Sequence, residues 1–305
     1  MTVAATGFFD GVHLGHRKVV SEVCAEAMKR GQKSKIISFW PHPRSVLRQD
    51  ASNLRLLTSL EEKKSLLMGI GVDEVCILDF TKEFSRLSTA EFVDQYLKEK
   101  CGVDTLIVGY DHKFGHNPEE TQSEMIEICR HHGLEVIRLD EFVYGGEVIS
   151  STKIRNLLDR GDIATANEYL GYRYGLKGVV VSGKHLGRTI GFPTANLRLY
   201  DPLKMIPQNG VYAVFVSVEG NNYIGICNIG LRPTVGESTE RTIETYILDF
   251  DEDIYGLDMK IEFVGRIRDE RKFDCLAGLK EQLGKDTDFA RNLLTESLRL
   301  GVTLR

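Results

Sequence analysis

Short apolar runs alternate with helix-length patterns through the first half of the chain. "TVAATG" leads into "HRKVVSEVCAEAMKRG", and "KSKIISFW" leads through "PHP" towards "SLEEKKSLLMGIG". "EVCILDF" precedes "STAEFVDQYLKEKCG", where Ser88 or Thr89 can cap the helix with Glu91 close behind. "VDTLIVG" precedes "SEMIEICRHHG", and "LEVIRLDEF" closes the series. Five strand-like runs interleaved with helices predict a parallel sheet built from right-handed crossovers. Ligands of such sheets sit beyond the carboxyl ends of the strands, where the strand order switches. The loops that begin at Gly7, Trp40 and Gly109 all lie at such ends and are candidates for one site.

The pattern changes after "ISSTKIRNLLDRGDIATANEYLGYRY", whose two short helical stretches end near Gly171. From "GLKGVVVSG" onward strand follows strand. "GVYAVFVSVEGNNYIGICNIG" reads as a hairpin across Gly220-Asn221-Asn222, and "RTIETYILDF" and "LDMKIEFVGRIRDE" add two more strands. "CLAGLKEQLGKD" and "FARNLLTESLRL" are helical. The second half is thus an antiparallel β-barrel or sandwich with a layer of C-terminal helices. The boundaries that follow are 1–158 for the first domain, 159–174 for a helical linker and 175–305 for the second.

Composition agrees and narrows the partners. A chain of 305 residues, 42% hydrophobic and 27% charged, is of a size and make-up for two globular domains. No run of about 18 apolar residues is present, so no membrane span is expected. A net charge of −5 argues against a nucleic-acid partner. The six cysteines include no C-x-x-C pair, and a cytoplasmic location is expected from that usage.

The first chemistry stands in "TGFFDGVHLGHRKVV". His13 and His16 at i, i+3 could belong to a zinc site, to the polar start of a helix, or to a phosphate cradle. H-x-x-H without a third ligand is incomplete for zinc. Gly7, Gly11 and Gly15 lie where a strand turns into a helix, whose first N–H groups and dipole favour an anion. Two imidazoles there can donate to a triphosphate, and nearby phosphate favours their charged form. In "ISSTKIR", Ser151 and Thr152 open another helix and Arg155 follows on the same face, which fits either an ordinary cap or a phosphate contact.

"GFFDGVHLGH" resembles the H-x-G-H signature of adenylyltransferases. With "FWPHP", "FSRLSTAEFV", "VGYDHKFG" and "ISSTKIRNLL", in that order, it resembles the FAD synthetase module of bacterial bifunctional riboflavin kinase/FAD synthetases. The resemblance implies an α/β nucleotidyltransferase domain of Rossmann-like parallel sheet. ATP would lie against His13, Gly15 and His16, with Gly7, Phe8 and Asp10 in the same loop and Ser151, Thr152 and Arg155 opposite. It also implies that FMN attacks the α-phosphorus, pyrophosphate leaves and FAD forms, with Asp111 on the flavin side. The chain departs from the family at His112, where members carry an aromatic residue.

In the second half "GVVVSGKH" mimics a P-loop, but His185 replaces the Ser/Thr that such a loop needs, and "VVVS" favours a strand. Just beyond, "GKHLGRTIGFPTANL" spaces Gly183, Gly187 and Gly191 by four. The Thr194 hydroxyl and Asn196 carbonyl alternate on one side of an extended segment, as Mg²⁺ oxygen ligands or as a plain Pro-led strand start. "GFPTANL", "NGVYAVFV", "NIGLRPTV", "ETYILDFDEDIYG" and "RIRDERKF" are together similar to the riboflavin kinase module. That resemblance implies an antiparallel barrel with C-terminal helices. Thr194 and Asn196 would hold Mg²⁺ and ATP, Gly183, Gly187 and Gly191 would line ATP, Glu244 would be the base for the ribityl hydroxyl, and Asn209 would stand on the flavin side. The implied function is riboflavin to FMN to FAD, in a monomer or weak homo-oligomer. A monofunctional kinase with an inactive first domain and a non-catalytic flavin sensor are the alternatives.

Overall fold

A computed structural model describes residues 1–47, 54–183, 191–233 and 239–299. The chain forms two compact units, Met1–Ser151 and Thr152–Arg305.

The first unit is a five-stranded parallel sheet in the order β3-β2-β1-β4-β5. Its strands are β1 (Thr2–Thr6), β2 (Lys33–Trp40), β3 (Glu74–Asp79), β4 (Thr105–Val108) and β5 (Glu135–Arg138). The order reverses between β1 and β4, so the crevice lies beyond their carboxyl ends. The sheet is covered on both faces, and its central strands β1 and β4 are buried along their whole length. Val3, Ala5 and Ile36 pack with Val20, Val23 and Ala27 of α1 (Leu14–Arg30) and Leu67 of α3 (Leu60–Gly69). The alternate residues Ala4 and Ile37 face the other way, onto Phe92, Val93, Leu97 and Met125. Phe92, Val93 and Leu97 belong to the π-helical stretch Phe92–Lys100 that continues α4 (Thr89–Glu91), and Met125 belongs to α5 (Gln122–His131). Ser88 is the cap: its side chain accepts from the Glu91 N–H while Glu91 reaches back to the cap. A short α2 (Pro43–Leu47) and a small hairpin, β6 (Val143–Tyr144) with β7 (Glu147–Val148), complete the unit.

The second unit is a closed six-stranded barrel in the order β10-β11-β12-β9-β8-β13. Its strands are β8 (Gly175–Val181), β9 (Thr194–Leu199), β10 (Gly210–Val218), β11 (Asn221–Pro233), β12 (Thr239–Ile247) and β13 (Asp258–Arg268). The helix α6 (Ser151–Asp159) starts at the border of the two units, and α7 (Ile163–Leu170) follows. The Asn167 side chain of α7 donates to the Phe263 carbonyl at 2.8 Å and accepts from the Tyr174 N–H at 2.7 Å, so α7 is stitched to the barrel.

Two expectations are corrected. The β10–β11 hairpin turns at Glu219-Gly220, both in the left-handed region (φ 48° and 80°), and Asn221 and Asn222 already pair in the strand. Two left-handed residues give the turn whose twist matches the flanking strands. The C-terminal helical stretches are one helix, α8 (Leu276–Arg299), running through Gly284. A mid-helix glycine costs about 1 kcal/mol. Ala290 and Leu294 packed on Val211 and Ala213 offset it, as do the buried Asp286 and its Arg268 partner at 2.7 Å.

Candidate active sites

The β1–α1 loop turns sharply. Phe9, Gly11 and Val12 adopt positive φ (48°, 81° and 38°), and the Val12 N–H donates back to the Phe9 carbonyl at 3.1 Å. For a β-branched valine that conformation costs on the order of 1–3 kcal/mol. Burial of both Phe9 and Val12 holds it in place. The turn delivers His13 to the N-cap of α1, where Nδ1 accepts from the His16 N–H at 3.4 Å. One N–H that the sequence reading left for an anion is therefore taken by His13. With Nδ1 accepting, the neutral ring carries its proton on Nε2. The His13 and His16 rings stack 3.6 Å apart, and Phe9 meets His16 edge-on at 5.2 Å. Gly15 leaves room for this stack, since a methyl group there would meet the His13 ring at 3.3 Å.

Below the histidines lies a buried polar network. The Asp10 carboxylate accepts from the Leu57 N–H at 3.0 Å and the Thr58 N–H at 3.1 Å, and the Thr58 hydroxyl accepts from the Gly11 N–H at 3.1 Å. Asp10 thus latches the loop to the segment that leads into α3. The Lys63 ammonium, wholly buried, donates to the Ser38 hydroxyl at 3.3 Å, and that hydroxyl donates to the Phe8 carbonyl at 3.3 Å. It also lies 5.0 Å from the centre of the Phe8 ring. Burial pushes Lys63 down to about 8, against the pull of Asp10. Burial likewise holds His16 well below the usual histidine range, aided by His13, Lys63 and His112. Its Nδ1 is buried without a hydrogen-bond partner.

Beside the loop is a cavity of about 350 Å³ walled by Phe8, Phe39, Phe80, Phe84, Phe92 and Phe114, with Gly7 and His112 also lining it. His42 packs against Phe8 with the rings tilted and their centres 4.3 Å apart. Asp111 is exposed in the turn after β4. The Ser151 hydroxyl donates to the Asp10 carbonyl at 2.9 Å, which brings the start of α6 to the same loop. Thr152 and Arg155 belong to the second unit.

In the barrel, Thr194 and Asn196 stand on β9 and Glu244 on β12. Glu244 pairs in register with Asn196 on one side and Asn228 of β11 on the other, so the three half-buried side chains form one row. A methyl group at Gly183 would run into the Asn196 amide, so that glycine is what lets the end of β8 lie over the row. The other face of these strands, with Ala195 and Thr245, bounds a cavity of about 370 Å³ that Thr194 and the 250–255 segment also line. Thr194 stands at the edge where the two faces meet. Gly191 (φ 87°) lies three residues before Thr194, and Gly187 and His185 fall outside the described residues. The Asn209 side chain accepts from Arg241 Nε at 3.0 Å. Gly178, first residue of the P-loop mimic, lies within β8, packed so close to the Arg198 carbonyl that no side chain would fit.

Sequence reasoning missed Lys63, the Thr58 latch, Asn228 and the orphaned ring nitrogens. The phenylalanines of "FSRLSTAEF" and "HKFG" wall the aromatic cavity, which sequence reasoning did not foresee, and Lys63 in "EEKK" looks like any surface lysine.

A histidine-bearing crevice at the switch of a parallel sheet, followed by a barrel with a Thr/Asn/Glu constellation, defines a two-site enzyme of nucleotidyl and phosphoryl transfer. Family models agree: residues 1–153 match FAD synthetase and residues 170–294 match riboflavin kinase. The bifunctional riboflavin kinase/FMN adenylyltransferase of Listeria monocytogenes is 38% identical, over 95% of this chain and 91% of its own length. That of Bacillus subtilis is 38% identical over 93% and 90%, and that of Escherichia coli K12 36% over 95% and 91%. A solved structure titled a macrolide-efflux protein from Streptococcus pneumoniae superposes with a TM-score of 0.88 at 32% identity, covering 95% of this chain and 94% of that one. The chain belongs to the bifunctional riboflavin kinase/FMN adenylyltransferase family. Among the described residues no helix is long and apolar enough to cross a membrane.

Proposed function

We propose that this chain makes FMN from riboflavin and ATP, and FAD from FMN and ATP, in two separate sites. The first reaction is assigned to residues 175–305, the second to residues 1–158, with 159–174 as connector. The observation that carries this reading is the stacked His13/His16 pair at the start of α1, beside an aromatic cavity in the crevice between β1 and β4.

In adenylyl transfer an FMN phosphate oxygen attacks the α-phosphorus of ATP, and the bond to the β-phosphate oxygen breaks. The task is positioning and charge stabilisation. Gly7, Phe8, Asp10, Gly15, Ser151 and Thr152 form the ATP side. His13 and His16 donate to the phosphates, and Arg155 neutralises the leaving pyrophosphate. Asp10 acts by holding the loop. Asp111 lies on the flavin side. In the kinase reaction the ribityl hydroxyl attacks the γ-phosphorus, the bond from that phosphorus to the β,γ-bridging oxygen breaks so that ADP leaves, and Glu244 takes the hydroxyl proton; orienting that hydroxyl is the larger share of the work. Gly183, Gly187 and Gly191 line ATP, and Asn209 lies on the flavin side. Thr194 and Asn196 offer the neutral oxygens that a hard cation accepts, and a side chain at position 183 would run into the Asn196 amide. They would hold the Mg²⁺ that accompanies ATP and offsets its phosphate charge. The protein would act in the cytoplasm as a monomer or weak homo-oligomer, which sedimentation would measure.

The test is a chromatographic time course with riboflavin, ATP and Mg²⁺. FMN rising first and FAD following is expected. FMN alone would leave the first unit without its proposed role, and no conversion would favour a flavin sensor.

A further inference from the structure

His112 stands four residues beyond β4, the neighbour of β1, so its loop borders the β1–α1 loop across the crevice. A methyl group at Gly109 would meet Val19 of α1 at 3.8 Å and the His112 Cβ at 4.0 Å. Val19 is three residues on from His16, so His112 stands alongside the first turns of α1. Its backbone is fixed: its carbonyl accepts from Gln122 Nε2 at 3.0 Å, and Gln122 is held in turn by the Gly109 carbonyl at 2.8 Å and by Arg138 at 2.6 Å. The ring lines the aromatic cavity, 6.0 Å from the Phe114 ring.

Its Nε2 is buried with no hydrogen-bond partner, and so is Nδ1 of His16. A buried polar atom left unpaired costs about 1–3 kcal/mol. Two such atoms in one crevice call for an explanation, and a ligand that satisfies them is one. The phenylalanines around the cavity offer a flavin ring only apolar contact. His112 is the lining group that also acts electrostatically on His16. The part of FMN that has to reach the histidine pair is its phosphate.

We propose that His112 is a positioning residue whose Nε2 donates to a phosphate oxygen of FMN, with His16 contacting the same phosphate. This rests on the reading that the first unit adenylylates FMN. Burial keeps His112 down at about 4, against the pull of Asp111, so it enters as a neutral donor. Among the described residues, the charged and titratable groups that act on His112 or His16 or line the cavity include Asp111 and Lys113 on its own loop, His13 on α1 and Lys63 on α3, with His42 against Phe8 and Asp10 acting on Lys63.

The test uses the full chain and FAD formation from FMN and ATP, with lumiflavin, a flavin ring lacking ribityl and phosphate, as competitor. His112→Phe keeps an aromatic ring and removes the donor. It is expected to raise KM for FMN about tenfold or more, as loss of a hydrogen bond to a charged group would. The lumiflavin inhibition constant should not move, and His112→Gln should recover part of the loss. FAD formation at saturating FMN by the same variants reports that the first unit is folded. A lumiflavin constant rising in step with KM would assign His112 to the ring and overturn the proposal, as would an unmoved KM. Absence of FAD from the unmutated protein would overturn the adenylylation reading itself, and the unmutated control separates that outcome.

Discussion

In the parallel unit each candidate residue lies in a loop or at a helix start beyond a strand's carboxyl end, whereas in the barrel Thr194, Asn196 and Glu244 lie on strands. The loop site needs scaffolding, and the structure supplies it from beneath: the Asp10 latch, the Ser38–Lys63 contact, and His13 capping its own helix. The strand site needs little of this, because the ladder already fixes Asn196, Glu244 and Asn228 side by side. Loops reached only by long crossovers must be pinned by buried polar groups, and one of them, Lys63, carries a shifted titration. A barrel strand gets its precision from register.

The largest test of that contrast removes one proposed functional group from each unit. His16→Ala is expected to lower FAD formation by about 10²–10³, the usual loss for one donor to a developing charge, with FMN formation close to wild type. Glu244→Gln should do the reverse when FMN is supplied for the second assay. Equal loss of both rates in either variant would dissolve the division of labour. Next in size is Asp10→Ala, which strips the acceptor from the Leu57 and Thr58 N–H groups. A fall of about tenfold or more in FAD formation is expected, with a stability loss of about 2–4 kcal/mol by urea unfolding. A smaller effect is expected at Gly183→Ala, where the new methyl displaces the Asn196 amide. FMN formation should fall about tenfold while FAD formation from supplied FMN holds.

The architecture was legible because alternation and helical period are local signals. Interleaved runs fixed the parallel sheet, and the strand-after-strand texture fixed the antiparallel second unit. Gly284 misled because its local cost is small against the packing of Ala290 and Leu294. The hairpin moved by a residue or two because Glu219, not a usual left-handed residue, takes the first turn position. At the sites, the motif loops stood out by residue type. What those side chains do with one another did not: that Ser151 donates to the Asp10 carbonyl, or that Asn209 accepts from Arg241, depends on residues far apart in the chain. Lys63 was illegible for the same reason, since nothing in "LEEKKSLL" tells the buried lysine from Lys64 beside it.

Lys63 also gives the finest test of the contrast. The barrel neutralises its buried Asp286 with Arg268 at 2.7 Å, while the Lys63 ammonium has a hydroxyl at 3.3 Å and aromatic faces. Its folded value of about 8 lies below its ordinary 10.5, so below pH 8 it is charged in both states and the full cost of burying it falls on the folded protein. At 1.36 kcal/mol per pKa unit that cost is about 3 kcal/mol. Between pH 8 and 10.5 the unfolded chain binds more protons than the folded one, so stability rises with pH over that window. Lys63→Met removes the term. The variant should be more stable than wild type at pH 7 by urea unfolding, and the gap should close towards pH 10.5. FAD formation should fall a few-fold, since the Ser38–Phe8 contact loses its support, with FMN formation unchanged. A variant less stable than wild type at pH 7 would mean that Asp10 and the aromatic rings more than compensate the buried charge. Lys63 would then be structural cement, and the two units would treat their buried charges alike.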